Sequence, residues 1–122
     1  ANRITTTLPN ELPLVNLDID QIQQVLLNLV NNIVESCPHA SIHFSTEHTD
    51  AKIKLKVQDD GPGIEEVVRH KIFKEKITTK HDGYGYGLVI CRQIMESHGG
   101  TIRVESTSNV GTTFVLTFKA LS

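Results

Sequence analysis

KIKLKVQDDGPG, residues 52–63, is the stretch that decides the fold of this chain. Polar and apolar residues alternate from Lys52 onward, which predicts a strand with one buried face. Because successive side chains of a strand point to opposite faces, Asp59 is expected on the same face as Val57, toward the core. A carboxylate in that position must find hydrogen-bond donors or carry a large desolvation cost.

Asp59 has two interpretations at this level. An adenine amino group is a donor that such a carboxylate can meet, and Gly61 and Gly63 remove side-chain bulk, so that the backbone can approach a flat ring. Alternatively, Asp59 begins a hairpin turn with Asp60 and Gly61 at its tip, which is the commoner use of an Asp-Gly pair. The choice depends on the other motifs of the chain.

Two helical patterns flank this strand. Asp18 with Gln21 three residues later marks a helix start, apolar residues then recur at helical spacing, and Pro38 forbids continuation. A second pattern begins at Gly87 and stops at Gly99-Gly100. Each helix has one apolar face, so each is expected to pack on the sheet.

The other alternating segments are residues 40–45, 102–104 and 114–118. Thr49 and Asp50 supply turn chemistry between the first of these and the strand above, which predicts a hairpin. Residues 1–17 form an N-terminal edge segment, because Pro9 and Pro13 limit any strand there to an edge. These patterns predict an α/β fold of the α+β type, a two-layer sandwich in which a mixed, mostly antiparallel sheet is covered on one face by helices.

The composition limits the class of protein. A chain of 122 residues with 39% hydrophobic content predicts a single domain spanning 1–122. A net charge of −2 and a pI near 6.3 argue against nucleic-acid binding. Cys37 and Cys91 lie in apolar helical patterns and are expected to be small core residues. No apolar run approaches about 20 residues, so we expect a cytoplasmic domain without direct membrane contact, whose parent protein could be membrane-anchored. The isolated domain is expected to be monomeric.

Three polar side chains share one stripe of the first helix. Asn28, Asn32 and Glu35 lie at i, i+4 and i+7, and their oxygens could face a magnesium ion, which prefers oxygen ligands and retains waters. The alternative is that the asparagines occupy the solvent side of an amphipathic helix. Asn28 argues against that alternative, because Leu27 and Leu29 flank it.

Residues 74–86 are polar and lack periodicity, which predicts a flap. Thr78 and Thr79 hydroxyls and the Lys80 ammonium can donate to phosphate oxygens, although charges in a long loop can also serve only solubility. A glycine run at Gly83, Gly85 and Gly87 then enters the helix at Leu88. Backbone N–H groups and a helix N-terminus therefore converge on any anion placed there.

Taken together, these motifs resemble the catalytic, ATP-binding domain of bacterial two-component sensor histidine kinases, which belongs to the gyrase-like superfamily with the Bergerat-type ATP-binding fold. Residues 28–32 resemble its N box, residues 59–63 and 83–88 its two glycine boxes, residues 72–73 its F box, and residues 111–114 its closing glycine motif. By that resemblance Asp59 binds adenine, Asn32 binds Mg²⁺, Asn28 supports the phosphates, and residues 74–86 form the ATP lid. The resemblance also assigns to the nucleotide pocket Gly61, Gly63, Ile64, Phe73, Thr78, Thr79, Lys80, Gly83, Gly85, Gly87, Leu88 and Thr112.

The activity implied is transfer of the γ-phosphoryl group of ATP·Mg to a histidine. The acceptor histidine would lie on a dimerisation domain of the same parent protein, and a response regulator would act downstream. ATPases of the superfamily carry a water-activating glutamate where Asn28 stands, which disfavours a gyrase-type ATPase. Glu35, one turn beyond Asn32, is a candidate for assisting proton transfer. A non-catalytic, ATP-responsive interaction module remains the other alternative.

Overall fold

The computed structural model describes residues 3–7, 17–49, 51–61, 86–108 and 111–120. Within these ranges the chain forms five strands and two helices. In chain order they are β1 (Arg3–Thr7), α1 (Ile19–Ser36), β2 (Ser41–His48), β3 (Lys52–Asp59), α2 (Tyr86–Ser97), β4 (Thr101–Ser108) and β5 (Gly111–Lys119). Neither helix is long and apolar enough to cross a membrane, a finding that covers the described residues alone.

The five strands form one sheet in the order β1-β2-β3-β5-β4. β1 pairs with β2 in parallel, and every other neighbouring pair is antiparallel. β1 is an edge strand, as Pro9 and Pro13, which follow it in the sequence, predict. Thr49 closes the β2–β3 hairpin, because its hydroxyl oxygen accepts the N–H groups of Ala51 and Lys52 at 3.3 and 3.2 Å. The predicted mixed, mostly antiparallel sheet is confirmed.

The ends of α1 follow from local capping. The Asp18 carboxylate accepts the N–H of Gln21 at 3.2 Å, which satisfies one of the free donors of the first turn. At the other end Cys37 is in an extended conformation and donates its N–H to the carbonyl of Ile33 at 2.8 Å. Cys37 is therefore a half-buried C-cap that packs against the core, so the prediction of a small core residue is confirmed in part, and only its place within the helical pattern is wrong. Pro38 forces this outcome, since it disfavours a helical conformation in the residue before it.

α1 and α2 pack side by side on one face of the sheet. The core contains apolar residues from both helices and from all the central strands, including Val25, Leu29, Ile42, Val57, Leu88, Cys91, Met95, Phe114 and Leu116. Ile53, Val57 and Asp59 are all buried, as the alternation in β3 predicts. Full burial of each large aliphatic side chain contributes about 1.5–3 kcal/mol, which makes this layer the main source of stability.

The face of the sheet opposite the helices is not uniformly exposed to solvent. Val115 in β5 is completely buried, although its neighbours Phe114 and Leu116 occupy the core side. Lys56 and Arg103 stand directly opposite Val115 on the two adjacent strands, where their aliphatic stems can cover it. The prediction of a one-faced strand is thus wrong at this central position.

His98 ties the end of α2 to the start of α1. The backbone N–H of Asp18 donates to Nε2 of His98 at 3.0 Å, so this ring nitrogen carries no proton. The proton therefore lies on Nδ1, which donates to the carbonyl of Ile94 at 2.8 Å. Gly99, at φ +71, then ends the helix with the left-handed conformation that glycine adopts without strain. This link fixes the relative placement of the two helices that carry the site.

Candidate functional site

Asp59 ends β3 on the buried face, which confirms its predicted orientation. Its side chain is only 8% exposed, and its neighbours in the sheet are Ile42 and Thr112. Burial raises the pKa of the Asp59 carboxyl, and hydrogen bonds from the backbone of Gly61 and of Thr112 act in the opposite direction. The Gly61 bond measures 2.9 Å to Oδ1. A carboxylate has about four acceptor positions, so it can accept further donors.

Asp60, the next residue, makes hydrogen bonds to a different part of the sheet. Its exposed carboxylate accepts the N–H of Ser41 at 2.7 Å, and its own N–H donates to the Ser41 carbonyl at 3.3 Å. These bonds attach the end of β3 to the start of β2. The sequence placed Asp60 only at the tip of a possible turn, and its partner was missed because 19 residues separate the two.

Two glycines hold the backbone close around Asp59. A Cβ on Gly61 would lie 3.1 Å from Asp59 Oδ1 and 3.3 Å from Cys37 Cβ, so little bulk fits between them. Gly111 has φ +148, and a Cβ there would lie 2.0 Å from the Asp59 backbone oxygen. Thr112, the next residue, is 2% exposed. The structure therefore brings Asp59, Gly61 and Thr112 together, and it adds Gly111 and Cys37 to their surroundings.

The three polar residues of the α1 stripe differ in how deeply they are buried. Asn32 is 8% exposed, Asn28 is half-buried and Glu35 is exposed. The solvent-side alternative is therefore wrong for Asn32, whereas Asn31 does face solvent. The side-chain nitrogen of Asn32 is buried without a hydrogen-bond partner among the described residues. An unpaired buried polar atom costs about 1–3 kcal/mol, so this amide has hydrogen-bonding capacity that the described residues leave unused.

Helix geometry relates this stripe to Asp59. Cys37 caps the end of α1 beside Gly61, and Asn32 lies five residues before it, which is roughly 8 Å along the helix axis. Asn28 lies one helical turn before Asn32, roughly 6 Å from it along the helix axis. An elongated ligand that meets Asp59 at one end can therefore meet amide groups along α1, first at Asn32 and then at Asn28.

The start of α2 is the other helical element that the sequence assigns to the site. Tyr86 and Gly87 are the first residues of α2, so the glycine run does lead into a helix. The Leu88 side chain is fully buried in the core, which leaves only its backbone for a ligand. Cys91, one turn later, is also fully buried, and its thiol lies 3.6 Å from the carbonyl oxygen of Val25 on α1.

The remaining site residues predicted from the sequence lie outside the described part of the chain. They are Gly63, Ile64, Phe73, Thr78, Thr79, Lys80, Gly83 and Gly85, together with the lid segment before Tyr86. Their roles remain predictions.

Comparison with known proteins agrees with this arrangement. Residues 17–122 match the family model described as histidine kinase-, DNA gyrase B-, and HSP90-like ATPase. The chain is 41% identical over 124 residues to the adaptive-response sensory kinase SasA of Thermosynechococcus vestitus (strain NIES-2133 / IAM M-273 / BP-1), an alignment that covers 97% of this chain and 33% of that protein. This chain thus spans about a third of the length of the SasA relatives it matches.

Two solved structures show the same fold. The catalytic domain of histidine kinase ThkA, in a nucleotide-free form, superposes with a TM-score of 0.83 at 35% identity, covering 98% of this chain and 80% of that chain. ThkA in complex with the response regulator protein TrrA superposes with a TM-score of 0.77 at 33% identity, covering 98% of this chain and 34% of that chain. The α/β fold and the resemblance to sensor histidine kinases are confirmed, and this chain belongs to the family of histidine kinase-, DNA gyrase B- and HSP90-like ATPases.

Proposed function

We propose that this chain is the ATP-binding catalytic domain of a sensor histidine kinase and that it transfers the γ-phosphoryl group of ATP·Mg to a histidine on a separate dimerisation domain. The observation that carries this proposal is the buried carboxylate of Asp59, enclosed by Gly61 and Gly111. Nucleotide binding is a property of the family to which the chain belongs. The similarity to SasA and ThkA favours the kinase branch.

Asp59 would select the purine. Backbone N–H groups of Gly61 and Thr112 occupy part of its acceptor capacity and hold the carboxylate in one orientation. The exocyclic amino group of adenine can donate to a remaining position, whereas the carbonyl oxygen that replaces it in guanine or hypoxanthine would oppose a carboxylate. Burial of Asp59 strengthens this discrimination, because water cannot satisfy the carboxylate in place of the ligand.

Asn32 and Asn28 would face the phosphates and Mg²⁺. The unpaired nitrogen of Asn32 shows that its amide has unused hydrogen-bonding capacity, and rotation of the amide by 180° exchanges nitrogen for oxygen, the ligand type that Mg²⁺ prefers. When bound, Mg²⁺ would neutralise charge on the phosphate oxygens. By the resemblance, Thr78, Thr79 and Lys80 of the lid, residues 74–86, would close over the phosphates together with Gly83 and Gly85.

The chemistry then depends on positioning more than on an acid or base. Asn28 is an amide and cannot take a proton from water, which disfavours simple hydrolysis and favours an external histidine as acceptor. Glu35 is exposed on the next turn after Asn32, where it can assist proton transfer from an approaching acceptor. The response regulator that complexes with ThkA suggests the kind of protein that receives the phosphoryl group next. We place the reaction in the cytoplasm, where ATP is available.

The test is phosphotransfer in solution. The domain is incubated with γ-labelled ATP, Mg²⁺ and a histidine-bearing helical dimerisation domain taken from a full-length relative, and acid-labile phosphohistidine is measured. Asp59→Asn should abolish transfer, while Asp60→Asn should retain it, because an amide oxygen can still accept the Ser41 N–H.

Other outcomes decide between the alternatives. Steady release of phosphate without phosphohistidine would identify a gyrase-type ATPase, and ATP binding without either product would identify a nucleotide-responsive interaction module. Either result would contradict the kinase proposal.

A further inference from the structure

The face of the sheet opposite α1 and α2 carries an excess of positive charge. Strand pairing places five cations on it, which together we call the basic face: Lys52, Lys54, Lys56, Arg103 and Lys119. Glu47 on β2 is the carboxylate among them, whereas Asp60 lies beyond the far end of β3 and is bonded to Ser41. The chain as a whole has a net charge of −2, so these cations are a local concentration.

Glu47 neutralises only part of this charge. Lys56 Nζ lies 2.9 Å from Glu47 Oε1, and the hydrogen bond and charge of Lys56 hold the pKa of the Glu47 carboxyl below its usual value. Lys54 stands directly opposite Glu47 in the strand pairing, but that carboxylate is bonded to Lys56. Among the described residues, no ion pair involves Lys52, Lys54 or Lys119. The basic face therefore retains positive charge that an external anion can neutralise.

Lys52 and Lys119 form a like-charged pair on this face. They stand directly opposite each other on β3 and β5, and both are exposed. Like charges in that position are destabilising, so a neutral residue at either position would make the isolated sheet more stable. A local feature that lowers the stability of the free domain is expected at a functional site, where a negatively charged partner would neutralise it.

A cavity of about 260 Å³ lies at the hairpin end of the basic face. The residues that line it are Glu47, His48, Thr49, Lys52 and Lys54. The Thr49 hydroxyl oxygen accepts the N–H groups of Ala51 and Lys52, which leaves the hydroxyl proton for donation. Two ammonium groups and a hydroxyl therefore surround a space that suits a carboxylate, and charge-assisted hydrogen bonds of this kind are the stronger ones.

The spacing along β3 favours an extended acidic peptide as the anion. Side chains two residues apart in a strand are separated by roughly 7 Å, which applies both to Lys52 and Lys54 and to alternate residues of an extended ligand. Asp or Glu at every second position of that ligand would stay in register with the lysines. A lipid bilayer is disfavoured, because the exposed large hydrophobic side chains of the described residues are Ile19 and Leu27, both on α1.

We propose that the basic face docks an extended acidic segment of a partner protein and that one carboxylate of this segment enters the hairpin cavity. Asp59 ends β3 on the opposite face of the sheet, seven residues or roughly 23 Å from Lys52. Docking would therefore leave the nucleotide site open. The inference is independent of the proposed function.

The test is the binding of a fluorescent dodecapeptide of alternating serine and glutamate to the domain, measured by anisotropy at low salt. The matched ligand, with glutamine in place of glutamate, should bind at least about tenfold more weakly, because it carries no charge. Affinity for the glutamate peptide should also fall at least about tenfold in high salt, which screens exposed charges. Equal binding of the two peptides would overturn the proposal.

Variants of matched charge locate the docking site. Lys54→Gln should weaken binding of the glutamate peptide about threefold, which is the effect of one exposed charge pair. Arg92→Gln removes the same charge from α2, where Arg92 is paired with Glu96, and should leave the affinity unchanged. Lys119→Gln should weaken binding while Tm stays equal or rises, because the repulsion from Lys52 is removed. Weaker binding without loss of stability separates docking from a merely structural role.

NMR and competition complete the test. Peptide-induced amide shifts should map to the β2–β3 hairpin and to Lys119, and saturating ATP·Mg should not displace the peptide. Displacement by ATP, shifts confined to another face, or equal effects of Lys54→Gln and Arg92→Gln would overturn the docking site. Tighter binding to vesicles of phosphatidylserine and phosphatidylcholine than to the peptide would overturn the choice of a protein partner. Peptide binding by a chain that binds no ATP would support docking and contradict the proposed function alone.

Discussion

Substitution of Gly111 by alanine should damage the purine site from a position that makes no side-chain contact with the ligand. The added Cβ would lie 2.0 Å from the Asp59 backbone oxygen, whereas ordinary contact begins at 3.4 Å, so the two strands must separate by about 1.4 Å there. Misplacement of a binding group by about 1 Å can reduce activity about 100-fold. We therefore expect ATP affinity and phosphotransfer to fall by at least tenfold, the lower end of that effect.

The same change should also lower stability. Overpacking and an unfavourable φ together cost about 2–3 kcal/mol, which lowers Tm by roughly 10 °C in a domain of this size. Gly99→Ala is the matched control, because Gly99 also has positive φ but has no atom within 4 Å of its added Cβ. Calorimetry of unfolding and of ATP binding measures both quantities. If Gly111→Ala bound ATP as tightly as Gly99→Ala does, the close approach to Asp59 would have no functional importance.

Three further predictions concern stability. Because the folded-state pKa of Asp59 is raised, the folded chain binds its proton more tightly, so the free energy of unfolding should fall as pH rises from the unfolded value of 3.8 through the raised folded value. Asp59→Asn should remove this fall in urea titrations between pH 4 and 7, and an identical pH profile would refute the assignment. Asp60→Ala should cost about 1–2 kcal/mol by freeing the Ser41 N–H, and unchanged urea midpoints would contradict that. Leu29→Ala, in the core, should lower the free energy of unfolding by about 3 kcal/mol. Leu27→Ala, at 61% exposure, should lower it by under about 0.5 kcal/mol. Equal losses of Tm in the two variants would contradict the orientation of α1.

The local patterns of the sequence predicted the elements and the orientation of the main carboxylate. Strand alternation placed Asp59 inward because its period is set by backbone geometry alone. The Asp18 cap and Pro38 bounded α1 for similarly local reasons. Asn32 was predicted to belong to a polar stripe that could face a ligand, and its burial argues against the solvent-side alternative.

Contacts between distant parts of the chain were beyond the reach of such patterns. Cys37 was predicted as core because its apolar neighbours continue the helical pattern, yet it caps α1 and lies beside Gly61, 24 residues later. Val115 is buried on the face opposite the core, where Lys56 and Arg103 stand beside it on the adjacent strands, a pairing that alternation cannot reveal. The link from His98 to Asp18 joins residues 80 positions apart. Each of these depends on sheet order and helix packing, which are properties of the folded chain.

The central claim is that the Asp59 carboxylate recognises the exocyclic amino group of adenine. Titration calorimetry with ATP and with inosine triphosphate, in which a carbonyl oxygen replaces that amino group, tests it directly on the original chain and on Asp59→Asn. The original chain should bind ATP at least about 100-fold more tightly than inosine triphosphate, because the analogue leaves a buried acceptor facing another acceptor. In Asp59→Asn, whose amide can donate to the carbonyl, the preference should shrink or reverse. Equal binding of the two nucleotides by the original chain would contradict the account.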